Sequence, residues 1–311
     1  MKKSKVVVAG SFIVDVVGFA PRFPKDGETV IGSTVKFGPG GKGSNQATAA
    51  SRAGAEAIMI TKIGVDVLSN IAIEHYNAEG MSQKYVYRTD KAPTGTAFIE
   101  VSETTGENRI IVVKGANELL SAVEVAAAEE EIATCDAVLA QLESSDEAIV
   151  ELFRLAMRHG KRIILNPAPA RQVPEGLFEV VDYLTPNETE AEYFSGVPVK
   201  NPEDAGLAAE KLLGLGVKNV IITLGKHGAF YSDGNNKLLV PTTDLKAVDT
   251  TGAGDAFCGA LAVALSEGMD ILRAIRFANC AASISVTRAG TSQAMPYRHE
   301  INELYARFYG N

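Results

Sequence analysis

Most of the features that would mark this sequence as specialised are missing or scarce. Cysteine is rare: Cys135, Cys258 and Cys280 are far apart and odd in number, which gives neither a zinc spacing nor a disulfide framework. All three sit in apolar, helix-like stretches, where cysteine behaves as a small hydrophobe. The histidines His75, His159, His227 and His299 are scattered and form no His-x-x-x-His pair. Positive charge is not in excess: 30 Lys and Arg face 38 Asp and Glu, a formal net charge of −8. That disfavours nucleic acid as a partner, since neutralising phosphates needs clustered Lys and Arg. No run of eighteen apolar residues occurs, so no membrane span is expected. The start, Met1-Lys2-Lys3-Ser4-Lys5, is basic, but Val6-Val7-Val8-Ala9-Gly10 is too short for a signal core and no cleavage pattern follows. A cytoplasmic protein is expected. Repeats, low-complexity stretches and linkers are absent as well.

What is present reads as an α/β protein. A chain of 311 residues, 46% hydrophobic and 22% charged, has room for one large α/β domain with a small appendage, or for two domains. Short β-branched runs alternate with longer helical patterns. Strands are expected at 5–9, 58–62, 137–141, 162–165, 183–185 and 219–223, with helices near 43–53, 68–79, 122–134, 146–159, 188–195 and 203–214. Several strands are continuously apolar, as when helices cover both faces of a parallel sheet. Beyond Gly254 the chain is mostly helical. Two segments, 29–37 and 94–113, break the alternation and read as antiparallel β structure. In the second, Thr96–Val101 and Arg109–Val113 flank the turn-forming Glu103-Thr104-Thr105-Gly106-Glu107-Asn108. The fold expected is an open, mostly parallel sheet with helices on both faces and a small β lid from about 12–40 and 94–113. An edge hairpin that only caps the sheet or makes a dimer contact is the alternative.

The most informative stretch is Asp249-Thr250-Thr251-Gly252-Ala253-Gly254-Asp255, followed by the apolar helical run of Ala256, Phe257, Ala260, Leu261, Val263, Ala264 and Leu265. Its glycines let the backbone turn tightly, and the helix start leaves unpaired N–H groups carrying partial positive charge. That suits an anion, above all a phosphate. Asp255 is out of place beside a resting phosphate. It is explained if it takes a proton from an attacking hydroxyl. The plainer alternative is a helix start where Asp255 only offsets the dipole.

In open α/β sheets ligands bind beyond the carboxyl ends of the strands, and those ends are polar here. Glu143 follows one strand, Asn166-Pro167-Ala168-Pro169 another, Pro186-Asn187-Glu188-Thr189-Glu190 a third and Gly225-Lys226-His227-Gly228 a fourth. Singly, such residues form turns or caps; together at consecutive strand ends they line one site. A second glycine cluster, Gly38-Pro39-Gly40-Gly41-Lys42-Gly43-Ser44-Asn45, contains Gly-x-Gly-x-x-Gly. It does not follow the first strand, as a dinucleotide fingerprint must, and Ser44 stands where a Walker loop needs Lys. It reads either as a flexible turn capping the next helix or as a wall around a small polar ligand, with Lys42 and Asn45 meeting hydroxyl groups. An NAD-dependent oxidoreductase is the reading of a different class.

Taken together, these motifs resemble the ribokinase family of ATP-dependent sugar and nucleoside kinases. The likeness runs essentially end to end: Gly10-Ser11 with Asp15, Gly40 through Ala47, Gln141-Leu142-Glu143, Asn166 through Ala170, Thr185 through Glu190, and Asp249 through Asp255. It implies a ribokinase-like fold and transfer of phosphate from ATP to the 5-hydroxyl of D-ribose or 2-deoxy-D-ribose. Asp255 would be the base and the N–H groups of Gly252, Ala253 and Gly254 the anion hole. Asp15, Ile13, Gly41, Lys42, Gly43, Asn45, Glu143 and Asp255 would surround the sugar. Asn187, Thr223, Leu224, Gly225, Lys226, Gly228, Gly254 and Asn279 would line the ATP site, with Glu190 helping to organise Mg2+. Asp249, Thr251, Ser285, Arg288, Gly290 and Ala294 would hold a monovalent cation, K+, and a homodimer through the β lid is implied.

The chain departs from that pattern at Ile13. Ribokinases usually carry Asn two residues before the sugar-binding acid, and Ile cannot bond a hydroxyl. The 2-deoxyribose kinases of the family resemble this chain in having an apolar residue there. Either the site takes a sugar lacking that hydroxyl, or Ile13 is a packing change in a ribose enzyme.

Overall fold

The computed structural model describes residues 3–310; Met1, Lys2 and Asn311, the ends of the expected 1–311 domain, lie outside the described residues. Among the described residues thirteen strands form two sheets. The strands are β1 (Lys5–Ala9), β2 (Ile13–Ala20), β3 (Thr34–Gly40), β4 (Glu56–Gly64), β5 (Val86–Thr89), β6 (Gly95–Ser102), β7 (Asn108–Val113), β8 (Ala137–Ala140), β9 (Arg162–Leu165), β10 (Tyr183–Leu184), β11 (Asn219–Thr223), β12 (Ala229–Ser232) and β13 (Lys237–Val240). The α-helices are α1 (Lys42–Arg52), α2 (Ser69–Ala78), α3 (Ala122–Ala126), α4 (Glu129–Thr134), α5 (Asp146–Arg158), α6 (Glu188–Ser195), α7 (Pro202–Leu213), α8 (Ala253–Ser266), α9 (Ile271–Ser285) and α10 (Arg298–Tyr309).

The large sheet has the order β13-β12-β11-β10-β9-β8-β1-β4-β5. It is parallel from β5 to β11 and antiparallel only at β12 and β13. Each central strand divides its side chains between two apolar layers. Val6, Val8 and Leu139 pack toward α1, α8 and α9, while Val7, Ala9 and Ala140 pack toward α5 and α7. This is the two-residue period of a strand buried on both faces. Small residues in α1, Ala47, Ala49 and Ala50, bring it close to α8, which is buried along almost its whole length. Among the described residues no helix is long and apolar enough to cross a membrane.

The second sheet, β3-β2-β6-β7, uses both expected segments. β2 lies parallel to β6 and antiparallel to β3, and β6 pairs with β7 from Thr96↔Val113 to Val101↔Asn108. The strand expected from residue 29 begins at Thr34 and runs to Gly40. Only Gly10, Ser11 and Phe12 separate the central strand β1 from β2. The small sheet therefore springs from the carboxyl edge of the large one, and α1 returns from its far strand to the same edge.

Candidate active site

The glycine turn ends where α8 begins. Gly252 is the N-cap residue with φ of 78°, a left-handed conformation that side chains disfavour. The Thr250 carbonyl folds back onto Ala253 N–H at 3.3 Å, and the first helical bond runs from Ala256 N–H to the Gly252 carbonyl. Ala253, expected to donate to an anion, is thus engaged in closing the turn. Among the described residues no acceptor meets the N–H groups of Gly252, Gly254 or Asp255. Those three form the open donor set, and Gly254 is exposed.

Asp255 is buried behind them at 5% exposure. Its two oxygens accept from Asn45 Nδ2 at 3.0 Å and Gln46 Nε2 at 2.9 Å. Burial pushes its carboxyl up; Lys42 and the two amides pull it back, and Glu143 opposes them. Glu143 accepts from Ser11 Oγ at 2.6 Å and the Lys42 backbone N–H at 3.0 Å. Asp15 stands across from it on β2, bonded by Thr291 Oγ1 at 3.2 Å. Burial lifts Asp15 to about 6; the Thr291 hydroxyl works against this, and the charges of Glu143 and Asp255 add to it. The charges of these three carboxylates thus act on one another around the start of α1, a region we call the cup.

Other expected residues divide around this cup. Gly41 is half-buried at its rim, while Gly43 is buried and gives its N–H to Ser11 Oγ at 3.3 Å, so it shapes the cup from behind. Ile13 is 3% exposed and lies on the same face of β2 as Asp15, apart from both apolar layers. Lys42, expected among the sugar contacts, lines a cavity of about 120 Å³ with Asn187, Glu190, Gly254 and Asp255. Its ammonium is held protonated although burial works against the charge, because Asp255, Glu143 and Glu190 surround it. Glu190 belongs to a capping box with Asn187: each supplies an oxygen to the other's backbone N–H, at 2.8 and 2.9 Å.

A second hollow of about 700 Å³ opens on the other side of the same turn. Asn187, Thr223, Gly225, Lys226, Gly228, Gly254 and Asn279 all line it. Leu224 does not: just past the end of β11, it is 3% exposed and packs in the apolar layer. Sequence reasoning missed its apolar wall, Leu245, Ala247, Phe257, Ala282 and Val286. Behind the turn, Asp249 accepts from Thr251 N–H at 2.9 Å and Gly290 N–H at 3.0 Å. Burial opposes its charge, but those bonds hold its carboxyl below the usual range. The Ser285 carbonyl takes the Arg288 N–H at 3.1 Å, the Arg288 side chain pairs with Glu300, and Ala294 is buried. The side chains of Ser285 and Arg288 are thus engaged elsewhere, Ser285 Oγ donating to the Ala282 carbonyl at 2.8 Å. Among the described residues no three His, Cys, Asp or Glu cluster as a metal site. The cysteine thiols are buried and pushed up to about 12, so none offers a thiolate.

Residues 3–298 match the pfkB family carbohydrate kinase profile. The chain belongs to that family. Over 299 residues it is 42% identical to a ribokinase of Bacillus subtilis (strain 168), covering 96% of this chain and 98% of that one. It is 35% identical over 299 residues to a deoxyribokinase of Salmonella typhi, covering 96% and 97%. The solved structure of Arabidopsis thaliana ribokinase complexed with ribose and ATP superposes with a TM-score of 0.89 at 31% identity, covering 98% of this chain and 99% of that one. The chain is a sugar kinase of ribokinase type, with the three-layer fold and small sheet that the sequence implied. The Gly38–Gly43 cluster, the basis of the oxidoreductase reading, forms the end of the edge strand β3 of the small sheet and the start of α1. It is not the strand–turn–helix of a dinucleotide site.

Proposed function

We propose that this sugar kinase transfers the terminal phosphoryl group of ATP to the 5-hydroxyl of D-ribose. The observation that carries this reading is the cup of Asp15, Glu143 and Asp255 beside the open N–H groups of the α8 turn. Ionised carboxylates only accept hydrogen bonds, so three in one small space call for a ligand bringing several donors, and a polyol does. The relatives named ribokinase support the same choice.

In this reading the 700 Å³ hollow holds the nucleotide, its apolar wall against the base and Asn187, Thr223 and Gly225 toward the phosphates. The N–H groups of Gly252, Gly254 and Asp255 take the charge on the transferring group, and the Asp255 carboxylate accepts the hydroxyl proton. Lys42, placed between the cup and the smaller cavity, meets a phosphate oxygen. Glu190, already fixed by Asn187, has lone pairs left for the water shell of Mg2+. Asp249 and the Ser285 and Arg288 carbonyls fit K+, because a single carboxylate with neutral carbonyls matches a single positive charge. When bound, Mg2+ would neutralise phosphate charge and K+ would steady the turn from behind. The small sheet acts as a lid of one 1–311 domain, and its exposed Phe37, Phe98 and Ile111 form the homodimer face of a cytoplasmic enzyme.

A second reading, 2-deoxy-D-ribose as substrate, is favoured by Ile13. It presents an apolar surface beside Asp15 where a hydroxyl-bonding side chain would otherwise stand, and the Salmonella typhi relative is named a deoxyribokinase. A coupled assay across ribose, 2-deoxyribose, other pentoses, hexoses and nucleosides, with and without potassium, decides. The highest kcat/KM on ribose upholds the first reading, and a preference for 2-deoxyribose selects the second. Phosphorylation of none of these sugars overturns both. Asp255→Asn is expected to abolish turnover while leaving the melting curve intact; near-normal rates would remove Asp255 as the base.

A further inference from the structure

The Asp255 carboxylate has no cation within salt-bridge distance among the described residues; amides hold it instead. Gln46 is fully buried and spends every polar atom on its neighbours. Its Nε2 donates to Asp255 Oδ1 at 2.9 Å and to Asn166 Oδ1 at 3.0 Å, and its Oε1 accepts from Gln141 Nε2 at 2.7 Å. Asn166 in turn donates from Nδ2 to the Thr185 carbonyl at 2.8 Å.

The direction of this chain of amides is not free. A backbone carbonyl can only accept, so Thr185 turns the Asn166 N–H toward itself and the Asn166 oxygen toward Gln46. That oxygen needs a donor, which turns the Gln46 nitrogen toward both Asn166 and Asp255. The Gln46 oxygen is then left facing Gln141, which must donate. The last oxygen in line, Gln141 Oε1, has no partner and sits where a side chain on Gly10 would be, 2.1 Å from that residue's would-be Cβ. A buried acceptor without a donor is unfavourable. The arrangement tolerates one at its far end and keeps two N–H groups aimed at Asp255 and Asn166. From the other side, Ser292 Oγ bonds Asn45 Oδ1 at 2.6 Å and aims that amide at the second Asp255 oxygen.

We propose that Gln46 is a positioning residue for phosphoryl transfer: aimed by the Thr185 carbonyl through Asn166 and locked by Gln141, it holds Asp255 in one rotamer, ionised and turned toward the sugar hydroxyl. This rests on the reading of Asp255 as the base. The charged and titratable groups facing Asp255 are Lys42 from α1, Glu143 after β8, Asp15 from β2, Glu190 from α6 and Cys258 on its own helix. Of these only Lys42 favours its charge, so the loss of an N–H donor shifts the balance toward the protonated, inactive acid.

The test compares Gln46→Met, which keeps the volume, with Gln46→Glu, which keeps the shape but replaces donors with acceptors. Both are measured beside Asp255→Asn at saturating ribose and ATP, where kcat reports the substrate complex. Gln46→Met is expected to lower kcat about tenfold to a hundredfold. KM for either substrate should stay within a few-fold, and the acidic limb of kcat against pH should move up by about one unit. Gln46→Glu should fall further, because a second carboxyl then competes for the same proton. Gln141→Met, which only unlocks the Gln46 amide, should move the limb the same way with a smaller loss. The proposal is overturned if Gln46→Met keeps kcat within twofold and the limb in place while Asp255→Asn is inactive. Should Gln46→Met not fold, an unmoved limb in Gln141→Met overturns it instead. Retained activity in Asp255→Asn would remove the base and leave the amide chain structural.

Discussion

Replacing Asp15 with Asn is expected to make the protein more stable while weakening its hold on sugar. Asp15 is half-buried, and among the described residues one donor meets its side chain, Thr291 Oγ1 at 3.2 Å. Burial, together with Glu143 and Asp255, raises its carboxyl from 3.8 to about 6 despite that bond. The native state therefore holds the Asp15 proton more tightly than the unfolded chain. Stability falls as pH rises from about 4 to about 6, and the penalty is fully present above that window. The distance from 3.8 to about 6 corresponds to roughly 3 kcal/mol of destabilisation at neutral pH, an upper figure that water in the cup reduces. Asn keeps the shape and removes the charge. Asp15→Asn is expected to gain about 1–3 kcal/mol at pH 7.5, a rise in Tm of a few degrees, and to lose most of that advantage near pH 4.5, where native Asp15 is protonated. Because the other titrating groups are common to both proteins, the difference between the two melting curves isolates this site. Sugar binding moves the other way. Without a carboxylate to accept a hydroxyl proton, KM for the sugar should rise by about tenfold to a hundredfold. Calorimetric melting at pH 7.5 and 4.5, without ligand, gives the answer. An Asp15→Asn protein that is less stable at pH 7.5, or shows the same Tm difference at both pH values, would refute the reasoning.

Three further outcomes follow from particular contacts. Ile13→Asn places a hydroxyl-bonding amide beside Asp15 and should raise the ribose to 2-deoxyribose ratio of kcat/KM about tenfold or more; an unchanged ratio would mean that this position does not read the sugar. Gly252→Ala forces a side chain into a φ of 78°, which costs about 1–2 kcal/mol and tilts the donor set; a lower Tm with kcat reduced at least tenfold is expected, and a normal kcat would move the anion site elsewhere. Asp249→Ala unties Thr251 from Gly290 and should bring the ratio of rates with and without potassium to one; a preserved ratio would place the cation elsewhere.

The sequence was legible where its information is local. Lys5–Ala9, Arg162–Leu165, Asn219–Thr223 and Glu188–Ser195 have the ends read from periodicity, because a strand buried on both faces and a capped helix write their pattern into neighbouring residues. The β12–β13 hairpin was missed, although Asp233-Gly234-Asn235-Asn236 between Phe230-Tyr231 and Leu238-Leu239-Val240 carries its turn chemistry. The helix read at 122–134 is two, Ala122–Ala126 and Glu129–Thr134. In the site, Asn187, Gly225, Lys226 and Gly228 of the 700 Å³ hollow were legible because turns at strand ends leave glycine and asparagine signatures, whereas its apolar wall was not. Gln46, Thr291 and Ser292 were not: Gln46 lies within the Gly40–Ala47 motif but nothing local gives it a role, and nothing distinguishes Thr291 and Ser292 from an ordinary loop.

By itself the sequence determined the layered α/β architecture, the glycine turn at a helix start, and the acid beside it. These follow from hydrophobic period, glycine and helix ends, all of which act within a few residues. Only the tertiary structure decided how that acid is held. Asp255 meets Asn45 and Gln46 across 210 and 209 residues, Ser292 reaches Asn45 across 247, and Thr291 reaches Asp15 across 276. Packing α1 against α8 at the open edge of the sheet brings these groups together. A buried carboxylate remains ionised only if donors surround it, so its working state depends on contacts that no local stretch of sequence contains.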